Sequence, residues 1–438
     1  VVAAVLLGGG PGGPEAKATP PVVRIGYVAQ VRSLVKMPPD SSTVEAASYV
    51  GLLGAREGAE EMNYTAGLIG RRVELIVATG LTPAEVARGA QVLLRRHVMA
   101  LVGGFDTSAA EALARVAAQH RVVFFNVGAT DDVLRNGACS RFMFHVEASD
   151  AMYLDAMADW FIRGLAFLVD ENAPQGVQII RRTPARAWFL VSEGSPEWQA
   201  RRKRLQAALE ERHWGGRVVG DLVLRPGGVG AALQAIRRSH PDLVVALLPA
   251  ARQLEFYRAY ARARLPFEVT GFPEPVTQTR EFFASLLRDA PGAAGGSIRF
   301  VSFEPTFQAI GGPELAQRFY RHWHHTLDGP AWTSWLAVKI LWEASLHAGE
   351  DGPAVIRYLE DPRAVFDGYQ GIGMTFRPWD HQLRHPLMAS RLLRFTVDPL
   401  GLAQMVGQFP NVLAPGRDPN DVLDQLGDTA RSTACRMR

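Results

Sequence analysis

Gly67-Leu68-Ile69-Gly70-Arg71-Arg72 opens a stretch that alternates apolar runs with helical patterns as far as Gly128-Ala129-Thr130. Residues 73–78 are the first apolar run, and a helix pattern spans 83–96. A second run, 99–103, closes on the polar turn Gly104-Phe105-Asp106-Thr107-Ser108. A helix pattern over 109–120 leads to a third run, 122–126. Short apolar runs alternating with helices of this length build a parallel sheet covered by helices on both faces. Ligands bind such sheets outside the carboxyl ends of the strands. Those ends carry Asp106-Thr107-Ser108 and Asn126 through Thr130, with no catalytic signature among them. The stretch predicts an α/β fold and a place for binding rather than a reaction.

The same design recurs outward from this stretch. Residues 24–29 read as the first strand, followed by a long loop over 30–49 and a helix over 50–63. A loop that long inside a compact domain is functional or disordered, and this one leaves a strand's carboxyl end, where it overhangs the cleft. Residues 142–146 form a further strand, and Ser149 caps a helix over 151–163. After an irregular insertion at 170–183 the pattern restarts, with strands at 186–191, 217–224, 243–248 and 267–271. Helices at 196–212, 230–239 and 251–264 separate them, which predicts two similar lobes. Helices at 281–287, 313–326, 332–346 and 353–358 follow, with strands at 296–301, 371–376 and 390–397.

Composition narrows the class. The 438 residues allow two or three domains, and 47% apolar with 21% charged residues is ordinary for a globular chain. A net charge of +3 does not suggest a nucleic-acid binder. The basic cluster Arg201-Arg202-Lys203-Arg204 reads as a solvated helix face. No apolar run approaches the roughly 20 residues that span a bilayer. Residues 1–7 are apolar and precede Ala16-Lys17-Ala18, a pattern like the core and cleavage site of an export signal. Residues 1–21 are therefore expected to be a leader remnant and 411–438 a tail. The only cysteines, Cys139 and Cys435, either pair with each other or stay as two thiols.

The order and spacing of several weak motifs carry a resemblance. They are Arg24-Ile25-Gly26-Tyr27, the Gly67–Arg72 turn, Leu101-Val102-Gly103-Gly104 with Thr107-Ser108, and Phe125 through Thr130. Phe142-Met143-Phe144-His145 with Ser149-Asp150, and Phe366-Asp367-Gly368 with Gly371 and Thr375-Phe376, complete them. Over roughly residues 22–400 the chain resembles the type I periplasmic solute-binding proteins of ABC transporters, in their leucine/isoleucine/valine-binding-like branch. That resemblance implies two Rossmann-like lobes joined by three crossovers, closing on a ligand about a hinge. Lobe one would be 22–147 with 273–370, and lobe two 148–272 with 371–410. It also implies a monomeric, exported periplasmic receptor with membrane transporter subunits as partners, and neither enzyme activity nor a cofactor.

The resemblance places Thr107, Ser108, Ala129 and Thr130 where the family's amino-acid binders hold a carboxylate with hydroxyls and backbone N–H groups. It places Trp198 at the lobe-two aromatic and Glu274 at the acid for the ammonium. Phe105-Asp106 and Asn126-Val127 depart from the family's small, hydroxyl-rich neighbours. The strand ends themselves carry Tyr27, Val28, Phe105, Phe125, Val127, Trp198, Leu248, Phe272 and Pro273. A cleft lined by these would bury an apolar ligand at about 25 cal/mol per Å², with polar contacts from Asp106, Asn126, Glu147, Ser195 and Glu274. The expected ligand is thus small and rather hydrophobic, with a lipid or sterol at the extreme. A branched-chain amino-acid receptor and a ligand-sensing module for a signalling partner are the alternatives.

Other constellations carry less. His322 and His325 share a helical face at i, i+3, which suits a metal, but no carboxylate pattern accompanies them and an exposed His-rich helix is expected. Pro226-Gly227-Gly228-Val229-Gly230 lacks the ending of a phosphate loop. Ser195 has no evident His or Asp partner for a nucleophile's role.

Overall fold

In the computed structural model, residues 21–163, 165–169, 177–181, 183–212, 215–393, 400–410 and 416–437 are described. The export-like segment at 1–18 lies outside them. Strand β1 (Val22–Ala29) runs between β2 (Arg72–Thr79) and β3 (Ala100–Gly103), with β4 (Val123–Asn126) and β5 (Met143–His145) beyond β3. All four pairings are parallel. Helices α1 (Val44–Leu68), α2 (Pro83–Leu94) and α3 (Thr107–His120) connect the first four strands. Each begins at a side-chain cap, Thr43, Thr82 and Asp106 respectively, which satisfies N–H groups that a helix start leaves free.

Helix α1 is longer than its sequence pattern predicts, starting at Val44 instead of Val50. The Thr43 hydroxyl accepts from Ala46 N, and Glu45 sits favourably in the first turn. The overhanging loop shrinks to residues 30–43 in consequence. Its Ser41 hydroxyl lies 2.9 Å from that of Ser285.

Chain segment 146–149 leads from the first sheet into α4 (Asp150–Arg163), where the Ser149 hydroxyl accepts from Met152 N as expected. β6 (Leu165–Val169) and β7 (Val177–Arg181) then pair antiparallel. The expected irregular insertion is therefore in part a hairpin, a local pairing that announces itself by no long-range period. Residues 170–176 and 182 lie outside the described residues.

The second sheet repeats the parallel design in the order β11 (Glu268–Gly271), β10 (Leu243–Leu247), β8 (Ala187–Ser192), β9 (Arg217–Val223). Its helices are α5 (Pro196–Ala207), continued by a π turn to Arg212, α6 (Val229–Ser239) and α7 (Ala250–Ala263). After α8 (Arg280–Asp289) and the single turn α9 (Pro291–Ala294), β12 (Ile298–Val301) opens an antiparallel sheet. Helices α10 (Gly312–Trp323), α11 (Gly329–Ala348) and α12 (Gly352–Leu359) follow, then the short pair β13 (Phe366–Asp367) and β14 (Gly373–Met374). β14 is shorter than the strand expected at 371–376. β15 (Leu387–Leu392) and β16 (Ala403–Phe409) complete the sheet with β12, β15 in the centre. β15 begins before the strand expected at 390–397, of which 394–397 lie outside the described residues, and β16 was not expected.

Two packing layers hold the lobes. α11 is apolar nearly all round and lies against α1 so closely that a Cβ on Gly54 would sit 2.0 Å from the Ala331 carbonyl oxygen. α4 is buried between the second sheet and the antiparallel one, its Trp160 ring edge-on to Phe409 and its Phe161 to Trp188. Cys139 and Cys435 form a disulfide across 296 residues of sequence. It ties the C-terminal segment that includes α13 (Pro419–Leu423) to the segment between β4 and β5, and Arg377 and Arg384, which follow β14, both bind Asp424. No helix among the described residues is long and apolar enough to cross a membrane.

Candidate functional site

The carboxyl ends of the two parallel sheets frame a cleft of about 360 Å³. On the first-sheet side, Gly104 turns the chain after β3 at φ +82°, a backbone that favours glycine. That turn aims Phe105 and the start of α3 at the cleft. Asp106 caps α3: Oδ1 accepts from Ala109 N at 2.9 Å and from the Ser108 hydroxyl at 2.6 Å. Thr107 and Ser108 follow at the helix N-terminus.

The loop after β4 is built around Asn126, which is fully buried. Its Oδ1 accepts from Ala129 N at 2.9 Å and its Nδ2 donates to Ala129 O at 2.7 Å. Buried Arg135 adds a second donor to Ala129 O at 2.9 Å. Gly128 is required because a Cβ there would meet the Phe105 ring at 2.7 Å. These contacts present Ala129 and Thr130 to the cleft. Ser42 and Val44, at the start of α1, complete this wall.

The opposite wall comes from the second sheet. α5 supplies Glu197 and Arg201, the start of α7 supplies Pro249, Ala250 and Ala251, and the segment after β11 supplies Glu274, Pro275 and Val276. Arg201 is only 3% exposed. Its Nε donates to Asp150 Oδ2 at 2.8 Å and its Nη2 lies 2.7 Å from Glu197 Oε1. Its guanidinium rests 4.2 Å above the Trp198 ring and 4.6 Å from the Phe272 ring, contacts that favour a desolvated cation. Burial alone would lower the Arg201 pKa, but Asp150, Glu197 and Glu274 override it and hold the guanidinium above its ordinary value.

The acids respond in the other direction. Burial pushes the Glu274 carboxyl up to about 7 against the pull of Arg201, although its side chain keeps 22% of its surface open. Its Oε2 accepts from Ala250 N at 3.2 Å. Burial likewise raises Glu197, and it raises Asp131 behind Thr107 with help from Asp150.

Seven residues expected at the site meet at this cleft: Phe105, Asp106, Thr107, Ser108, Ala129, Thr130 and Glu274. Trp198 and Phe272 lie just behind it, edge-to-face at 5.6 Å, as the floor beneath Arg201. Ser195 is exposed at the N-cap of α5, outside the lining. Tyr27 is buried under α1 and α11, its hydroxyl 3.3 Å from that of Ser334, and burial raises its pKa. Val127 is core, its carbonyl accepting from the Thr333 hydroxyl at 2.7 Å. Glu147 is buried where the chain leaves the first sheet. Asn126, as described, supports the loop rather than lining the cleft.

One expectation is overturned. The basic cluster on α5 is not a solvated face, since Arg201 turns inward and Arg204 pairs with buried Asp155 at 2.9 Å. The signal was present: Trp198 and Glu197 precede Arg201 by three and four residues, spacings that share one helical face. The histidines also diverge. His322 faces Glu57 and Glu60 at 3.3 and 3.4 Å, whereas His325 lies beyond α10 and reaches Glu281 at 2.9 Å. Glu57, Glu60 and His322 bring three donor atoms near one another. Glu57 is already satisfied by Arg318 and by Trp323 Nε1, both at 2.9 Å.

A family model described as periplasmic binding protein matches residues 38–394. No curated protein matches the chain. Among solved structures, a periplasmic binding protein from Burkholderia mallei is 16% identical with a TM-score of 0.71, covering 95% of this chain and 98% of its own. A solute-binding protein of an ABC transporter from Rhodopseudomonas palustris, in complex with 3,4-dihydroxybenzoic acid, is 16% identical at TM-score 0.66, covering 90% and 99%. A branched-chain amino acid transporter substrate-binding protein from Streptococcus pneumoniae, in complex with isoleucine, is 16% identical at TM-score 0.65, covering 88% and 99%. At such identities the likeness carries the two-lobed type I fold. With the family model matching most of its length, the chain belongs to the periplasmic binding protein family.

Proposed function

We propose that this chain captures a small carboxylic acid, of amino-acid or aromatic-acid size, between its two lobes and delivers it to the membrane subunits of an ABC transporter. The observation that carries this reading is the cleft itself. Two parallel sheets aim their carboxyl ends, and the N-termini of α3 and α7, at one space of about 360 Å³. Helix N-termini favour anionic groups. Thr107 and Thr130 would hold the acid, beside a Ser108 hydroxyl already donated to Asp106, and Glu274 would face an amine or hydroxyl. Closure would turn on the segments between the lobes, here taken as 22–147 with 273–370 and 148–272 with 371–410. The protein would act as an exported monomer that leaves its ligand chemically unchanged.

The lining argues for this class over a lipid or sterol. Of the apolar residues at the strand ends, Phe105 borders the cleft, whereas Tyr27, Phe125, Val127 and Phe272 belong to the core. Hydroxyls, carboxylates and a guanidinium occupy much of the remaining wall. The relatives crystallised with isoleucine and with a dihydroxybenzoic acid support the same size and charge.

The test is thermal melting against a panel of amino acids, aromatic acids and sterols, backed by mass spectrometry of what the purified protein carries. A saturating acid should stabilise by about 2.7 kcal/mol at a hundredfold excess over Kd. Stabilisation by sterols alone would refute the reading.

A further inference from the structure

Asn136 precedes Gly137, and no other asparagine in the chain precedes a glycine. The pair follows the short turn Asp132–Arg135 between β4 and β5, where Asn136 takes φ −127° and ψ −104°. A ψ of about −120° eclipses the next backbone nitrogen with Cβ, the arrangement from which that nitrogen closes a five-membered ring on the side-chain Cγ. The Gly137 N–H, the nucleophile of such a closure, has no hydrogen-bond partner among the described residues. Gly137 is exposed, and open space surrounds the place a Cβ would take. Asn136 Oδ1 accepts from Ala434 N at 2.7 Å, while Nδ2 donates to Asp132 O at 3.0 Å and to Asp428 Oδ2 at 3.1 Å. The Ala434 N–H thus sits on the oxygen that turns negative when Cγ is attacked, where a fixed donor lowers a barrier. The same bonds fasten the C-terminal segment to the turn after β4.

We propose that Asn136 is a site of self-modification, deamidating through attack by Gly137 N, and that the product unfastens the C-terminal segment. Gly137 N loses its proton and bonds to Asn136 Cγ. The Cγ–Nδ2 bond breaks, and Nδ2 takes up a proton and leaves as ammonia. Water then opens the succinimide at either carbonyl, which leaves aspartate or isoaspartate. In both products the donor Nδ2 is gone and a carboxylate takes its place. That carboxylate faces Asp428 and the Asp132 carbonyl oxygen, two groups that had accepted from the amide. Attraction becomes repulsion at a separation of 3.1 Å from Asp428. The Cys139–Cys435 disulfide keeps the loosened segment tethered.

The experiment incubates the full chain in mildly alkaline buffer and follows each asparagine by peptide mapping and mass spectrometry. Asn136 should convert at least roughly tenfold faster than any other asparagine, a barrier difference of about 1.4 kcal/mol. The folded chain should convert within roughly fivefold of the same chain in denaturant, since the fold supplies the backbone angle and the Ala434 donor. Stronger protection by folding would overturn the site, as would faster conversion elsewhere. Gly137→Ala adds a Cβ to open space, so folding stays intact while the attacking nitrogen is hindered. It should slow conversion at least roughly tenfold, and an unchanged rate would overturn the mechanism. Asn136→Asp reproduces one product directly. Hydrogen exchange at the Ala434 amide should rise at least roughly tenfold in that variant. Asp428→Asn added to it should restore most of the protection, because a donor then faces the new carboxylate. Exchange that Asn136→Asp leaves unchanged, or that Asp428→Asn fails to restore, would overturn the release of the segment.

Discussion

The Tyr153 hydroxyl donates to Glu147 Oε1 at 2.6 Å, with both side chains fully buried. Gln278 Nε2 donates to the same hydroxyl at 2.8 Å, and Gln278 Oε1 accepts from Ser302 N at 2.9 Å. Segments following β5, β11 and β12 therefore meet in one polar knot. Burial pushes the Glu147 carboxyl from its ordinary 4.5 up to about 7. The sign follows directly. The folded state holds this proton more tightly than the unfolded state, so the stabilisation is complete below about pH 4.5 and is lost as pH rises through 7. Urea melts should show stability falling over that window by up to about 1.4 kcal/mol per pH unit for this group. Glu147→Gln keeps the shape and the hydrogen bond, and it should flatten that slope. An unchanged slope would remove Glu147 from the account.

The Arg201–Asp150 pair is the next test. Its partners are 3% and 4% exposed at 2.8 Å. Removing one partner of a buried pair costs up to about 3–5 kcal/mol, and here only the more exposed Glu197 and Glu274 remain beside Arg201. Asp150→Ala should reach that range in chemical denaturation. Glu111→Ala, which breaks a mostly exposed contact of 3.7 Å with Arg115, should stay within about 0.5 kcal/mol. Equal effects would show that burial is not what governs these pairs.

These residues also explain what sequence could and could not convey. The parallel sheets were legible because strands and helices alternate at regular length and their periods differ. The cleft's first wall was legible for the same reason, since Phe105 to Ser108 and Ala129-Thr130 directly follow predicted strands. Which strand-end side chains face the cleft was not legible. Strands of a parallel sheet are apolar on both faces, so Tyr27 and Phe105 look alike until α1 and α11 cover one of them. Arg201 was hidden by its charged neighbours, because a run of four cations reads as surface unless Trp198 and Glu197 are placed on the same helical face. β16 and the β6–β7 hairpin went unread because antiparallel additions carry no crossover helix to announce them. The pairing of Cys139 with Cys435 depends on where a distant tail docks, which no local pattern encodes.

Two glycines of α1 should respond oppositely to alanine. At Gly54 the added Cβ would meet Ala331 O at 2.0 Å, whereas at Gly67 nothing lies within 4 Å. Neighbouring backbone cannot yield as a flexible side chain can, so Gly54→Ala should destabilise by about 1–3 kcal/mol or more. Gly67→Ala, in the last turn of the helix, should stabilise by roughly 0.4–1 kcal/mol through reduced chain entropy in the unfolded state. Thermal melts of the two variants decide it. Tolerance at Gly54 would mean that α1 and α11 can move apart at little cost.

The disulfide separates stability from binding. Around it, Asn136 Oδ1 accepts from Ala434 N at 2.7 Å, and Asn136 Nδ2 donates to Asp428 at 3.1 Å. Reduction, or Cys435→Ala with Cys139→Ala, should lower stability by roughly 2–5 kcal/mol, since the bond closes a long loop in the unfolded chain. Ligand affinity should hold. The cleft loop next to this bond is fixed independently, by Asn126 on both sides of Ala129 and by Arg135, whose Nη1 reaches Ala129 O and whose Nη2 reaches Glu147 O at 2.8 Å. Denaturation and calorimetry with and without reductant measure the two quantities separately. A parallel loss of affinity would mean that the tail, rather than the Asn126 and Arg135 contacts, holds Thr130 in place.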